Sequence, residues 1–146
     1  GVRISPEIER IGIALDDSIK LCSILTDEGI DFIHLSCWNA FKGSISYRNN
    51  SKTLTEWFAT SLNNPPPIIS TGKVWSHKDA QHLLNQGADL IGIGRAAIGH
   101  PDWATQVENQ NYDPAKPPFS VTELRKAMLS DVFIDYMRNW EGFVCD

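Results

Sequence analysis

The chain has 146 residues, 42% of them hydrophobic, and a formal net charge of −5. This is enough apolar material for a packed domain and excludes global disorder. The acidic balance argues against a nucleic-acid binder held by bulk electrostatics, which needs a basic face.

The apolar runs are too short to cross a bilayer, and no basic start leads into an apolar signal segment. Three widely spaced cysteines, Cys22, Cys37 and Cys145, fit neither a zinc nor a disulfide framework. The expectation is a cytoplasmic protein with no membrane and no nucleic-acid partner.

Along the chain, residues 2–4 read as a short strand, and Ser5-Pro6-Glu7 as a turn or short helical segment. The spacing predicts a helix over 16–28. Asp16 and Asp17 sit at its positive end, Ile19, Cys22, Ile24 and Leu25 form its apolar face, and Gly29 ends it. Residues 31–36 read as a buried strand. The connection over 37–52 is longer than an ordinary strand-to-helix loop and suggests a functional wall or lid. A helix over 53–62 carries Leu54, Trp57, Phe58 and Leu62 on one stripe.

Strand three covers 67–71. Ser76 and Asp79 form a capping-box-like start for the next helix, whose buried face is Ala80, Leu83 and Leu84 and which stops at Gly87. Strand four covers 89–93, followed by a helical stretch to Gly99 and a short helix from Pro101 to Val107. Residues 109–119 read as a loop. Ser120 and Glu123 open a last helical region to Trp140, with Leu124, Met128, Phe133, Tyr136 and Met137 as its apolar members.

Strands separated by helices imply βαβ units, a parallel sheet and all strand C-termini on one face. Four units are half of what an eightfold barrel of about 250 residues needs. Half a barrel and an open doubly wound sheet both satisfy the pattern. The expected organisation is barrel-type βα units over 1–108 and a loop with a helical tail over 109–146.

Two strand ends carry the clearest chemistry. Ser70-Thr71-Gly72 closes strand three, and Gly92-Ile93-Gly94-Arg95 closes strand four and enters a helix. Glycines allow close backbone approach, a helix start favours anions, and Arg95 adds a permanent cation, so together they read as a phosphate cradle. The bland alternative is that the glycines mark turns and Arg95 is solvated. Arg3 shares that face at the end of strand one. It suits an electron-rich flavin edge, or equally a salt bridge to Glu7 or Asp31. His34, His77, His82 and His100 show no metal-ligand spacing and read as structural. Cys37 reads as a small core residue, and Lys73 as a surface charge.

The runs Arg3-Ile4-Ser5-Pro6, Asp31-Phe32-Ile33-His34-Leu35-Ser36, Pro67-Ile68-Ile69-Ser70-Thr71-Gly72 and Gly87-Ala88-Asp89-Leu90-Ile91-Gly92-Ile93-Gly94-Arg95, with Pro101-Asp102-Trp103, resemble the Old Yellow Enzyme family of FMN-dependent NAD(P)H oxidoreductases. The resemblance implies the C-terminal half of a (β/α)8 TIM barrel. It assigns Arg3 to the flavin ring near N1 and the C2 carbonyl. Gly72, Gly92, Gly94 and Arg95 go to the FMN phosphate.

It also implies hydride transfer from NAD(P)H through flavin N5 to an activated alkene such as an enone. The family's proton donor and carbonyl-binding pair have no counterpart in this chain, so no catalytic residue and no metal ligand is assigned. The expectation is a piece of a longer enzyme, inactive and weakly flavin-binding alone, that self-associates as a homo-oligomer. A non-catalytic phosphate-binding α/β module, or another phosphate-binding barrel enzyme, is the alternative.

Overall fold

The computed structural model describes residues 1–146. They divide into two compact units, one of Gly1–Val74 with Asp79–Gly92, the other of Trp75–Lys78 with Ile93–Asp146.

The first unit is built on four parallel strands: β1 (Val2–Ile4), β2 (Ile33–Ser36), β3 (Ile68–Thr71) and β4 (Leu90–Gly92). They lie in the order β1-β2-β3-β4. That order resolves the ambiguity left by the sequence. A doubly wound sheet reverses its strand order at a switch point, whereas barrel strands add one after another in one direction. The protein has the barrel order.

The connecting helices are α1 (Leu15–Asp27), α2 (Leu54–Ser61) and α3 (His77–Asn85). The first two residues of α3 group with the second unit. Gly29 and Gly87 follow α1 and α3 with φ of 80° and 98°, the left-handed conformation that stops a helix at little cost to glycine. Thr53 caps α2 in a complete capping box with Glu56. Glu9–Ile11 forms a 3-10 turn, three residues beyond Pro6, which is itself buried.

Strand alternation sorts the side chains by face. Ile33, Leu35, Ile68 and Ser70 point towards the helices and are buried, together with Leu15, Cys22, Phe58 and Leu83. The Ser70 hydroxyl lies 2.8 Å from that of Thr55 on α2. Arg3, His34, Ser36, Ile69, Thr71, Leu90 and Gly92 share the other face, which corresponds to a barrel interior. Two expected core positions are exposed: Ile24 on α1 and Leu84 on α3. In α1 the buried face is that of Leu15, Ser18 and Cys22, opposite Ile24; in α3 it is that of Ala80 and Leu83, beside Leu84.

In the second unit, α4 (Arg95–Gly99) and α5 (Trp103–Gln106) are short. Strands β5 (Phe119–Ser120) and β6 (Val144–Cys145) pair in parallel. Trp103 is buried, and its indole N–H donates to the Trp75 carbonyl at 2.6 Å. Ser120 and Glu123 form the expected capping box.

The single long helix expected after Ser120 is two: α6 (Val121–Lys126) and α7 (Asp131–Met137). Met128 takes φ of 66°, ending the first, and the Ser130 hydroxyl accepts from the Phe133 amide to start the second. Met128, counted as apolar face, is exposed at the break, as are Phe133 and Tyr136. Leu124, Ile134 and Met137 carry the core with Phe119 and Phe143. No helix is long and apolar enough to cross a membrane.

Candidate functional site

In parallel barrels, ligands meet the protein at the C-terminal strand ends, where loops of different strands converge. In the first unit that edge carries Arg3, Ser36, Thr71, Gly72 and Gly92.

Arg3 is exposed on the interior face, and its guanidinium donates to the Ser36 hydroxyl at 2.6 Å. It makes no salt bridge to Glu7 or Asp31, the carboxylates that the sequence offered. Glu7 is engaged elsewhere. Its carboxylate accepts from the Ser44 hydroxyl at 3.0 Å, the Ile45 amide at 2.7 Å, the Ser46 amide at 2.8 Å and the Ser46 hydroxyl at 2.5 Å. Burial disfavours the Glu7 charge, but the hydrogen bonds from Ser46, Ile45 and Ser44 outweigh it and hold the carboxyl below its ordinary range. The segment after β1 thus clamps the long loop after β2.

His34 stands beside Arg3 in the β1–β2 register, on the interior face. Its Nε2 lies 2.8 Å from the Thr71 hydroxyl. Burial first, and then the Arg3 charge, lower its pKa, which favours the neutral imidazole. A Cβ at Gly92 would overlap the Thr71 hydroxyl and come within 3.3 Å of His34 Nε2. The glycine there is a packing requirement of this pair as well as a candidate backbone contact.

Gly72 is buried at φ of 155°, and a Cβ would stand 2.5 Å from the Cys37 carbonyl oxygen and 2.8 Å from the Ala40 amide. Its own carbonyl accepts from the Ala40 amide at 3.2 Å. The two strand ends, β2 and β3, therefore meet backbone to backbone through Gly72. Cys37 is buried beside it, and burial pushes its thiol up to about 12, which leaves it an inert core group.

Gly94 and Arg95 follow in the chain, in the second unit. Gly94 precedes α4 with open space at its Cβ position, and Arg95 is exposed at the first residue of that helix. The remaining histidines make structural contacts. His77 Nδ1 meets the Val107 carbonyl at 2.7 Å, His82 packs against Phe41, and His100 Nε2 meets the Ala115 carbonyl at 2.8 Å.

The sequence placed Arg3, Thr71 and the glycines at these strand ends but did not give the hydrogen-bond partners of Glu7, Ser36 and Thr71. The signal for Ser36 and Thr71 was strand alternation, which puts both on the face of Arg3 and His34. Nothing local marked Glu7, because its partners lie 37 to 39 residues away.

Sequential parallel strands alternating with helices, with polar side chains and glycines gathered at the strand C-terminal ends, define a partial α/β barrel. The family-wide sequence profile of dihydrouridine synthases matches residues 7–141. The chain belongs to the dihydrouridine synthase family, a flavin-dependent barrel family related to the NADH:flavin oxidoreductases.

Among individual proteins, it is 34% identical over 111 residues to an NADH:fumarate oxidoreductase of Klebsiella pneumoniae (strain 342), covering 73% of this chain and 12% of that protein. It is 31% identical over 113 residues to an NADH:acrylate oxidoreductase of Vibrio harveyi, covering 75% and 11%. A probable NADH-dependent flavin oxidoreductase of Bacillus subtilis (strain 168) is 23% identical over 145 residues, covering 99% of this chain and 39% of that protein. The chain thus spans well under half the length of each of these relatives.

Proposed function

We propose that this chain is the C-terminal half of the flavin-binding barrel of an FMN-dependent NAD(P)H oxidoreductase of the Old Yellow Enzyme type. The observation that carries the reading is Arg3, an exposed guanidinium without a carboxylate partner at the strand-end face. Its one hydrogen bond, to Ser36, leaves further N–H donors for an acceptor-rich edge. A flavin pyrimidine edge, with its carbonyl and ring nitrogen, is such an acceptor.

Bound FMN would supply hydride relay between NAD(P)H and an activated alkene. The chain's own part is to hold and orient. Arg3 is assigned to the ring edge, and Gly72 and Gly92 to backbone contact with the phosphate. The resemblance adds Gly94 and Arg95, which follow Gly92 in sequence. His34, kept neutral beside Arg3, does not compete with it as a cation. Names of the relatives, which carry NADH with fumarate, acrylate or flavin, support a small unsaturated substrate.

The test is made on the whole protein carrying this chain. It should purify with FMN and oxidise NADH or NADPH when given an enone or an unsaturated acid. Arg3→Leu should weaken FMN binding about tenfold or more, as loss of a charge-assisted contact does. Full flavin occupancy with unchanged affinity in Arg3→Leu would remove the ring-contact assignment. The isolated 146-residue chain should be inactive and bind FMN weakly.

A further inference from the structure

We propose that the cavity at the C-terminal ends of β1 and β2 binds a small planar organic carboxylate, with Arg10 and Lys42 holding the charge and Trp38 facing the apolar body. Taking that carboxylate as the substrate rests on the flavin-oxidoreductase reading; its binding does not.

The cavity has a volume of about 640 Å³. Small-molecule sites commonly run from about 300 to 1,000 Å³. Its lining is largely apolar, with Pro6, Ile8, Cys37, Ile45 and Leu54 among it. Pro6 and Cys37 are buried.

The charges divide unequally. Of the two lining carboxylates, Glu7 is consumed by the loop at Ser44, Ile45 and Ser46, and Glu9 pairs with Arg48 at 3.7 Å. The two lining cations, Arg10 and Lys42, enter no ion pair. Unpaired cations beside an apolar lining select a ligand with a flat apolar body and an anionic end.

Trp38 adds the second feature. It lines the same cavity and is 84% exposed, an unusual state for the largest apolar ring in a chain that buries Trp103 and Trp75. A conjugated ligand would cover it. The location adds the third. Ser36 lines the cavity and also accepts the Arg3 hydrogen bond at 2.6 Å, so the cavity begins where the assigned flavin contact ends. Its wall is held in place by the Glu7 clamp on the loop after β2. Cations alone would equally accept a phosphate; the apolar lining and the exposed indole favour a carboxylate on a conjugated body.

Benzoate, benzamide and inorganic phosphate titrated into the whole protein test this, read by tryptophan emission against a Trp38→Phe control. Benzoate should bind saturably and alter the Trp38 signal. Benzamide, the same shape without charge, should bind about tenfold more weakly. Arg10→Met and Lys42→Met should each weaken benzoate several-fold and leave benzamide unchanged. Both side chains are exposed, so neither change touches the core.

Equal binding of benzoate and benzamide, or unaltered benzoate binding in both variants, overturns the proposal. Phosphate binding tighter than benzoate overturns it too and makes this an inorganic-anion or nucleotide site. A protein that binds benzoate as described but never oxidises NADH keeps the cavity assignment and loses the oxidoreductase reading.

Discussion

His34 Nε2 and the Thr71 hydroxyl lie 2.8 Å apart across β2 and β3, and together they occupy the space that any side chain at position 92 would need. Gly92→Ala should therefore destabilise the protein by about 1–3 kcal/mol, the usual cost of overpacking. Urea unfolding measures it. Adding Thr71→Ala removes the obstructing hydroxyl and should recover part of the loss. A Gly92→Ala protein as stable as the parent would mean that the β3–β4 register is different in solution.

The same histidine reports on Arg3. Its pKa is lowered by burial and by the Arg3 charge. In Arg3→Met the charge is gone, so the His34 resonance followed by NMR should titrate at higher pH than in the parent. Unfolded chains take up a proton near the ordinary histidine pKa, about 6.5, which the folded site resists. The contribution to stability is full above that value and is lost as pH falls through the lowered folded value. No change on removing Arg3 would place the guanidinium away from His34.

Thr55 and Ser70 form a fully buried hydroxyl pair at 2.8 Å. Thr55→Val leaves the Ser70 hydroxyl without its partner and should cost about 1–3 kcal/mol, whereas Thr55→Val with Ser70→Ala should cost less than the single change. Denaturant midpoints of the two singles and the double close the cycle. Strict additivity would show that the two hydroxyls do not depend on each other.

Glu7 sets the shape of the loop after β2. Glu7→Gln should speed hydrogen exchange at the Ile45 and Ser46 amides, which its carboxylate holds at 2.7 and 2.8 Å. Because its folded pKa is lowered, the clamp is at full strength above the ordinary carboxylate range and is lost as pH falls through the folded value. Exchange at those two amides, corrected for intrinsic rates, should therefore rise in acid in the parent but not in Glu7→Gln. Flat protection across that range would assign the loop's order to its other contacts.

Self-association of the 146-residue chain should be visible by light scattering. The interior face of the sheet leaves Leu90 and Phe32 exposed, and β1 and β4 each have one edge without a strand neighbour. A monodisperse monomer at all concentrations would contradict it.

Much of this protein was legible from local pattern. The four βα units followed from alternating periods, and Gly29, Gly87 and the Ser120–Glu123 box marked helix ends through backbone chemistry within a few residues. The failures are equally physical. The helix expected to run to Trp140 breaks at Met128, a residue with no turn signature, because Ser130 offers a second cap. Leu84 flanks the buried stripe of Ala80 and Leu83 but stays exposed, since periodicity sets a face and not its width, and Ile24 lies on the side of α1 opposite Leu15 and Cys22.

By itself the sequence determined the chemistry available: one arginine at the first strand end, glycines at the third and fourth, and acidic residues throughout. Only the tertiary structure decided what each of them faces. It put the strands in barrel order and sent Glu7 to a loop some 38 residues away rather than to Arg3. It left Arg10 and Lys42 unpaired around an apolar cavity. The reason is distance along the chain. Helix caps and glycine turns are settled by neighbours, whereas the partner of a charge is settled by whichever loop the sheet brings beside it.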